Sequence, residues 1–130
     1  MVNPDLVGRT FTSATSFNIT AEAIQNFSQS IGAKREPELK SAPPTFSISI
    51  SLAESQTLLQ ESGLDWTRVV HGEQRFEIVR PIVAGDSLTC SSTIESARLV
   101  AGNEIVSVRS DLHAGPELVI SSWSTLVVRA

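Results

Sequence analysis

Residues 69–90, with the sequence VVHGEQRFEIVRPIVAGDSLTC, carry the strongest local pattern in this chain of 130 residues. Phe76 and Ile78 alternate with charged residues, which is typical of a strand that buries one face. Gly85-Asp86 marks a turn, and apolar residues again alternate with polar ones from Leu88. The stretch therefore predicts two antiparallel strands that are consecutive in the chain.

Two more strands are predicted on the C-terminal side. Val106 and Val108 alternate with polar residues after a turn at residues 101–103. Residues 118–129 follow a turn at 113–116 and are rich in β-branched side chains. Together with the first pair, these segments predict three meandering hairpins.

A short helix is predicted in the N-terminal part, after a first strand within residues 8–20. Thr20 has the side chain of an N-cap residue, so the helix is expected to begin at Ala21. Ile24 and Phe27 recur at helical spacing, and Gly32 supplies a C-terminal stop. The sequence thus predicts an amphipathic helix packed on an antiparallel sheet, which is an α+β arrangement.

The type of the next apolar segment is ambiguous. Within residues 45–52, Ile48 and Ile50 alternate with serines, and this period of two predicts a strand. Residues 52–60 instead have the composition of a helix. Periodicity alone favours a strand at residues 45–52.

Composition indicates an ordinary globular protein, expected to form one domain over residues 1–130. The residues are 41% hydrophobic and the net charge is −4, and no basic stripe is present to bind nucleic acid. No apolar run approaches the length that spans a membrane, so we expect a cytoplasmic protein with no membrane partner. Cys90 is the only cysteine, which excludes an internal disulfide and a cysteine-based zinc site. Neither a metal nor a cofactor is expected.

Several short motifs resemble those of a known family. The pairs Arg75-Phe76, Arg80-Pro81 and Gly85-Asp86 follow one another as in the central strands of MaoC-like hot-dog proteins. The run His71-Gly72-Glu73-Gln74 is similar to the FAS1-like N-terminal dehydratase branch. The resemblance implies a hot-dog fold, in which an antiparallel sheet wraps around a central helix, and it implies that residues 45–60 form that helix. Further matches are Leu6-Val7-Gly8-Arg9, Ala42-Pro43-Pro44-Thr45-Phe46 and Ser124-Thr125-Leu126-Val127-Val128-Arg129.

One departure from the family pattern concerns catalysis. Active members carry an Asp and a His in the loop between the first helix and the central helix, but residues 32–42 contain neither. Moving the α-proton and the hydroxyl of a 3-hydroxyacyl thioester requires positioned acid and base groups. Glu36 or Glu38 offers one carboxylate, with no histidine beside it. The resemblance therefore implies a protomer that lacks the catalytic pair and acts with a catalytic MaoC-like subunit.

Candidate site residues lie in two places. His71 and Glu73, at the entry to a strand, are candidate catalytic groups, with Gly72 between them as a candidate substrate-binding residue. The alternative is that His71 only makes local hydrogen bonds. Pro44, Thr45 and Phe46 precede the implied helix, whose first amides are suited to bind a thioester carbonyl. The alternative there is an ordinary helix start with Pro44 in its first turn.

Three functions follow from these observations. The first is a protomer that binds acyl-CoA or acyl-carrier-protein (acyl-ACP) thioesters and pairs with a catalytic partner, as a homodimer or heterodimer. The second is a self-sufficient enoyl-thioester hydratase, dehydratase or thioesterase that uses His71. The third is a non-enzymatic acyl-thioester binding module, since one fold hosts many functions.

Overall fold

The computed structural model describes residues 1–33 and 41–130, in which an antiparallel sheet packs against a long helix. The predicted α+β class is confirmed. Short 3₁₀ turns lie at Pro4–Leu6 and Trp66–Arg68. The strands are β1 (Thr10–Thr12), β2 (Phe17–Asn18), β3 (Val69–Ile78), β4 (Ser87–Val100), β5 (Asn103–Ala114) and β6 (Glu117–Val128), and the helices are α1 (Ala21–Ser30) and α2 (Ile48–Glu61).

The strands of the sheet follow the order β1-β4-β5-β6-β3, and β2 also pairs with β4. Hairpins join β4 to β5 and β5 to β6, as predicted. The predicted hairpin between β3 and β4 is wrong, because β3 pairs with β6 instead. Three strand spacings of the sheet amount to about 14 Å, and the eight residues 79–86 reach about 26 Å when extended, so the connection spans this separation.

Helix α1 begins and ends as its sequence predicts. The Thr20 hydroxyl accepts a hydrogen bond from the Ala23 amide at 3.1 Å, which satisfies one of the free N–H groups of the first turn. At the other end Gly32 has φ +72°, a left-handed conformation that glycine adopts without a Cβ penalty. Ile24 is fully buried and anchors α1 in the core.

Replacing Thr20 by alanine is expected to destabilise the protein by about 1 kcal/mol, because the Ala23 amide loses its acceptor. Urea denaturation of the purified chain measures the change. Thr20→Ser keeps a hydroxyl at the cap and should retain most of the stability. Equal losses in both variants would show that the methyl group of Thr20, and not the cap, is responsible.

The ambiguous segment is helical, so the strand predicted at residues 45–52 is wrong and the helix implied by the family resemblance is right. Helix α2 spans Ile48–Glu61 and packs against β4 and β5. Its buried residues are Ile50, Ser51, Ser55, Leu58 and Leu59.

A row of serines separates two apolar clusters in the core. Ser92, Ser110 and Ser122 lie directly opposite one another on β4, β5 and β6, and all three are buried. The Ser55 hydroxyl of α2 is 3.4 Å from that of Ser110. On one side of the row lie Ile19, Ile24, Phe46, Ile50, Ile82, Leu88, Cys90, Leu112, Val119 and Ile120, and on the other Val2, Leu58, Leu59, Leu64, Ile94, Val106, Val108 and Leu126.

Candidate functional site

An apolar pocket of about 230 Å³ opens beside the chain that leads into α2. One wall comes from residues 41–44, which we call the entry segment of α2. The other wall comes from the end of β3, the loop after it and β6. A small cavity with aliphatic walls suits a short hydrocarbon chain. The pocket is lined by Ser41, Ala42, Pro43, Pro44, Ile78, Pro81, Ile82 and Ile120.

The loop wall of the pocket is held by Arg80, which belongs to the Arg-Pro motif. Its guanidinium donates two hydrogen bonds to the carboxylate of Asp86, at 2.9 and 3.1 Å, and a third to Glu117 at 2.8 Å. Asp86 also accepts from the Val83 amide at 2.9 Å. A bidentate pair of this kind fixes geometry as well as adding energy. The Arg-Pro and Gly-Asp motifs therefore lock the loop that carries Pro81 and Ile82.

The ion pair affects both of its partners. Hydrogen bonds from the guanidinium lower the pKa of Asp86, with a further contribution from the Val83 amide. The same contacts, first with Asp86 and then with Glu117, raise the pKa of Arg80. Both groups therefore stay charged across the physiological range.

The entry segment is joined to the loop by backbone hydrogen bonds. The Ala42 amide donates to the Ile82 carbonyl at 2.7 Å, and Ser41 forms an isolated β-bridge with Val83. This pairing brings the Pro43-Pro44 turn next to Ile82. The pocket is thus built between two segments that are about 40 residues apart in sequence.

The start of α2 differs from the sequence expectation. A turn covers residues 44–47 and the helix begins at Ile48, so Pro44 precedes the helix and does not lie in its first turn. The Phe46 amide donates to the Pro43 carbonyl at 3.0 Å, which leaves it without a free donor for a ligand. Phe46 is buried, with its ring edge-on to Phe27 at 5.4 Å, whereas Thr45 is exposed. Of the four candidate substrate-binding residues, Pro44, Thr45, Phe46 and Gly72, only Pro44 lines the pocket.

Two serines at the start of α2 have buried hydroxyls without a hydrogen-bond partner. They are Ser47, the residue before the helix, and Ser51, one turn later. An unsatisfied buried hydroxyl costs about 1–3 kcal/mol, so such groups are uncommon. Sequence reasoning did not identify these residues, because alternating serines and isoleucines do not reveal which face of the helix is buried.

The candidate residues of β3 lie on a β-bulge. His71 is opposite Leu126 and Glu73 is opposite Thr125, so the intervening Gly72 is the extra residue. Residues that face each other across an antiparallel pair share a face of the sheet. Leu126 is buried on the core face, whereas Thr125 and Glu73 line a furrow on the outer face. The bulge therefore places His71 and Glu73 on opposite faces, and the structure does not bring them together.

Gly72 itself has a packing role at the bulge. A Cβ at this position would lie 3.3 Å from the Thr125 carbonyl oxygen, which is a tight contact with backbone. All three residues of the His71-Gly72-Glu73 run are exposed, and none of them lines the apolar pocket. Glu36 and Glu38 lie outside the described residues.

The outer furrow is larger than the apolar pocket, at about 590 Å³, but differs in character. Its lining includes three residues with hydroxyl groups, Ser96, Ser107 and Thr125, and three charged residues, Glu73, Arg75 and Glu95. The Arg75 guanidinium stacks 4.1 Å from the centre of the Trp123 ring, so part of its aromatic surface is already covered. Because charged and hydroxyl side chains contribute much of its lining, the furrow is less suited to an acyl chain than the apolar pocket.

One edge of the sheet is formed by β3, whose only strand partner among the described residues is β6. Val70 and Ile78 on this strand and Val79 just after it are exposed by 46%, 41% and 60%. An edge strand with exposed aliphatic side chains is a surface on which another chain can pair. Ile78 also lines the apolar pocket, so this edge and the pocket are continuous.

Among the described residues, the single thiol and the groups that could bind a metal were also considered as functional sites. Cys90 is buried in the core, and burial raises the pKa of its thiol to about 11. Residues 1–33 and 41–130 contain no cluster of three His, Cys, Asp or Glu side chains placed to hold a metal ion. In the same residues, no helix is long and apolar enough to cross a membrane.

Comparison with known families identifies the chain. Residues 5–117 match the model of the family described as FAS1-like, dehydratase domain region. The chain belongs to this family. A UPF0336 protein of Streptomyces griseus is 36% identical over an alignment of 144 positions, which covers 99% of this chain and 96% of the relative. A UPF0336 protein of Thermobifida fusca is 34% identical, covering 98% and 94%.

Solved structures confirm the hot-dog fold of this FAS1-like dehydratase domain. The HadBC complex of Mycobacterium tuberculosis, a 3R-hydroxyacyl-ACP dehydratase, matches with a TM-score of 0.77 and 25% identity, over 95% of this chain and 97% of that one. A MaoC-like dehydratase matches with a TM-score of 0.85 and 22% identity, over 96% of this chain and 42% of a longer one. The ChsH1-ChsH2 complex of M. tuberculosis matches with a TM-score of 0.65 and 13% identity, over 94% and 83%. Two of these three neighbours are therefore complexes of different subunits.

Proposed function

We propose that this chain is an acyl-thioester-binding hot-dog protomer, related to (3R)-hydroxyacyl-thioester dehydratases, that acts with a catalytic partner subunit. The observation that carries the proposal is the composition of the apolar pocket. Its described lining consists of aliphatic residues, prolines and one serine, with no imidazole or carboxylate. Such walls hold a hydrocarbon chain and cannot move its protons.

The ligand class follows from the size and chemistry of the pocket. Burying each methylene of an acyl chain contributes about 0.8 kcal/mol, which aliphatic walls such as Ile78, Ile82 and Ile120 provide. The polar carrier, CoA or acyl carrier protein, would remain outside. The FAS1-like dehydratase family and the HadBC neighbour support a thioester as the head group.

The partner is supported by the β3 edge and by the missing catalytic pair. The sequence between α1 and the entry segment of α2 contains no His and no Asp, which supports a second chain as the source of the proton-transferring groups. Exposed Val70, Ile78 and Val79 offer apolar surface at the edge that borders the pocket. A catalytic MaoC-like subunit pairing along β3 would bring its acid and base to the mouth of the pocket.

The test is an enoyl-thioester hydration assay with crotonyl-CoA, loss of absorbance at the enoyl band being the signal. It is run with the chain alone, with a catalytic MaoC-like subunit alone, and with both after co-expression and co-purification. We expect no turnover by the chain alone, and activity of the complex above that of the catalytic subunit. A stable homodimer that hydrates crotonyl-CoA by itself would contradict the proposal.

A His71→Ala variant separates the two remaining hypotheses. If the isolated chain were active and this variant were not, His71 would be the catalytic group of a self-sufficient enzyme. If acyl-CoA raised the melting temperature of the chain but no combination of subunits gave turnover, the chain would be a binding module. The placement of His71 and Glu73 on opposite faces of the sheet argues against their acting as a pair.

A further inference from the structure

The backbone at Val2 makes an unusual contact with a buried carboxylate. The nitrogen of Val2 lies 3.1 Å from Oε1 of Glu104, on β5, and also 3.1 Å from Oε2. Val2 is 2% exposed and Glu104 is 5% exposed, whereas Met1 is 75% exposed. The Val2 side chain belongs to the same apolar cluster as Leu58 and Leu126, so the core holds this nitrogen in place.

The donor of this contact does not match its acceptor. A peptide nitrogen carries one hydrogen, which two oxygens at equal distances can only share. Among residues 1–33 and 41–130, no cationic side chain forms an ion pair with Glu104, and its carboxylate accepts hydrogen bonds from the Val2 nitrogen alone. Burying a carboxylate without a counter-charge is costly. A positive charge on the Val2 nitrogen would remove this cost.

We propose that Met1 is removed from the protein and that the freed α-ammonium of Val2 forms a buried ion pair with Glu104. An aminopeptidase hydrolyses the bond between residues 1 and 2. Water supplies a hydroxyl group to the Met1 carbonyl carbon and a hydrogen to the Val2 nitrogen, and free methionine leaves. The proton lost by the new carboxyl group is taken up by the new amine, because an α-amino group is largely protonated at neutral pH.

The ammonium satisfies the carboxylate better than the peptide nitrogen does. Its three hydrogens allow separate hydrogen bonds to both oxygens of Glu104, and hydrogen bonds between charged groups are stronger than neutral ones. Met1 and Glu104 both line a cavity of about 100 Å³, so water can reach the third hydrogen. This inference does not depend on the proposed function.

The residue at position 2 also suits the cleavage. Aminopeptidases that remove an initiator methionine require a small side chain at the next position, and they accept valine but exclude isoleucine and leucine. Because Met1 is mostly exposed, its loss removes no residue of the core. A Val2→Ile variant therefore blocks the cleavage at the cost of one extra methyl group.

The experiment uses the untagged chain, expressed with Met1 as its first residue and together with additional methionine aminopeptidase. Intact-mass spectrometry should show that the wild type has lost one methionine and that Val2→Ile has kept it. Glu104→Gln is then introduced into both proteins. In the processed protein it should lower the melting temperature by about 5 °C, because the buried ammonium loses its counter-charge. In the protein that keeps Met1 it should cause no loss, because it removes a buried charge that has no ion-pair partner.

Two controls separate the ion pair from packing effects. Wild-type protein made by cell-free translation with the aminopeptidase inhibited keeps Met1 without any substitution, and Glu104→Gln should behave in it as in Val2→Ile. Glu117→Gln removes a carboxylate that pairs with Arg80 at the surface, so it should change the melting temperature equally with and without Met1.

Retention of Met1 by the wild type despite the additional aminopeptidase would overturn the proposal, and so would an acylated amine on Val2. An equal effect of Glu104→Gln with and without Met1 would also overturn it. That result would mean that the exposed Arg68 and Arg129, which line the same cavity, balance the carboxylate.

Discussion

An Ala42→Phe variant is expected to bind acyl thioesters about a hundredfold more weakly than the wild type. Ala42 lines the apolar pocket, and its amide is bonded to the Ile82 carbonyl at 2.7 Å, so the backbone cannot easily move away. The phenyl group would then occupy space in a pocket of only about 230 Å³. Isothermal titration with butyryl-CoA measures the loss.

Ala42→Ser is the control for this substitution, because it changes polarity with almost no change in volume. It should reduce the affinity far less than phenylalanine does. Circular dichroism establishes that both variants remain folded. Unchanged affinity in a folded Ala42→Phe protein would show that the acyl chain binds elsewhere, with the outer furrow as the next site to test.

Asp86→Asn is expected to lower the free energy of unfolding by about 2 kcal/mol at pH 7, because the bidentate pair with Arg80 is lost. The two side chains are 28% and 11% exposed, so solvent screens the pair only in part. The pKa of Asp86 is lowered in the folded state. Its contribution is therefore complete above the ordinary carboxyl pKa of about 3.9 and is lost as the pH falls towards the folded value.

Urea denaturation between about pH 2 and pH 7 measures this dependence. The wild type should lose stability on acidification more steeply than Asp86→Asn, and the two curves should converge at low pH. Asp65→Asn is a suitable comparison, since hydrogen bonds from Thr67 lower the pKa of Asp65 but the side chain is exposed. It should have a much smaller effect. Parallel curves for wild type and Asp86→Asn would mean that the ion pair does not stabilise the fold.

The strands were more predictable than α2 because their alternation coincides with burial. In β5, every second residue from Glu104 to Leu112 is buried, and three of these five residues, Val106, Val108 and Leu112, are apolar, so part of the period of two is visible in the sequence. In α2 the buried face contains Ser51 and Ser55, while the partly exposed Ile48 and Leu52 lie off that face. Hydrophobicity therefore does not mark the buried side of the helix, and only the family resemblance gave the correct element.

The local sequence does not predict which strand pairs with β3. Neighbouring strands in sequence usually pair, and this tendency favours β4 as the partner of β3. The actual partner, β6, begins about 40 residues after β3 ends, and the choice depends on how the whole sheet closes around α2. The sequence does indicate the bulge, because an isolated glycine within a strand pattern, such as Gly72, often lies at a β-bulge.

The candidate site was predicted only in part. Of the candidate site residues, Pro44 lines the pocket. The Arg80-Pro81 and Gly85-Asp86 pairs were identified only as family motifs, and in the structure Pro81 lines the pocket and Arg80 pairs with Asp86. Thr45 and Phe46 do not line it, because the turn at residues 44–47 delays the helix and uses the Phe46 amide. Ser47 and Ser51 had no distinguishing pattern, since hydrogen-bond satisfaction is a property of the packed structure.

The bulge at Gly72 also bears on solubility. A regular, unpaired edge strand accepts a partner strand in many registers, and this is a common route to aggregation. In β3 the bulge interrupts the regular backbone, and Glu73, Arg75 and Glu77 place charges beside it. We expect that only a strand with a compatible backbone geometry and complementary charges can pair with β3. The edge is therefore selective for its partner although it is unpaired in this chain.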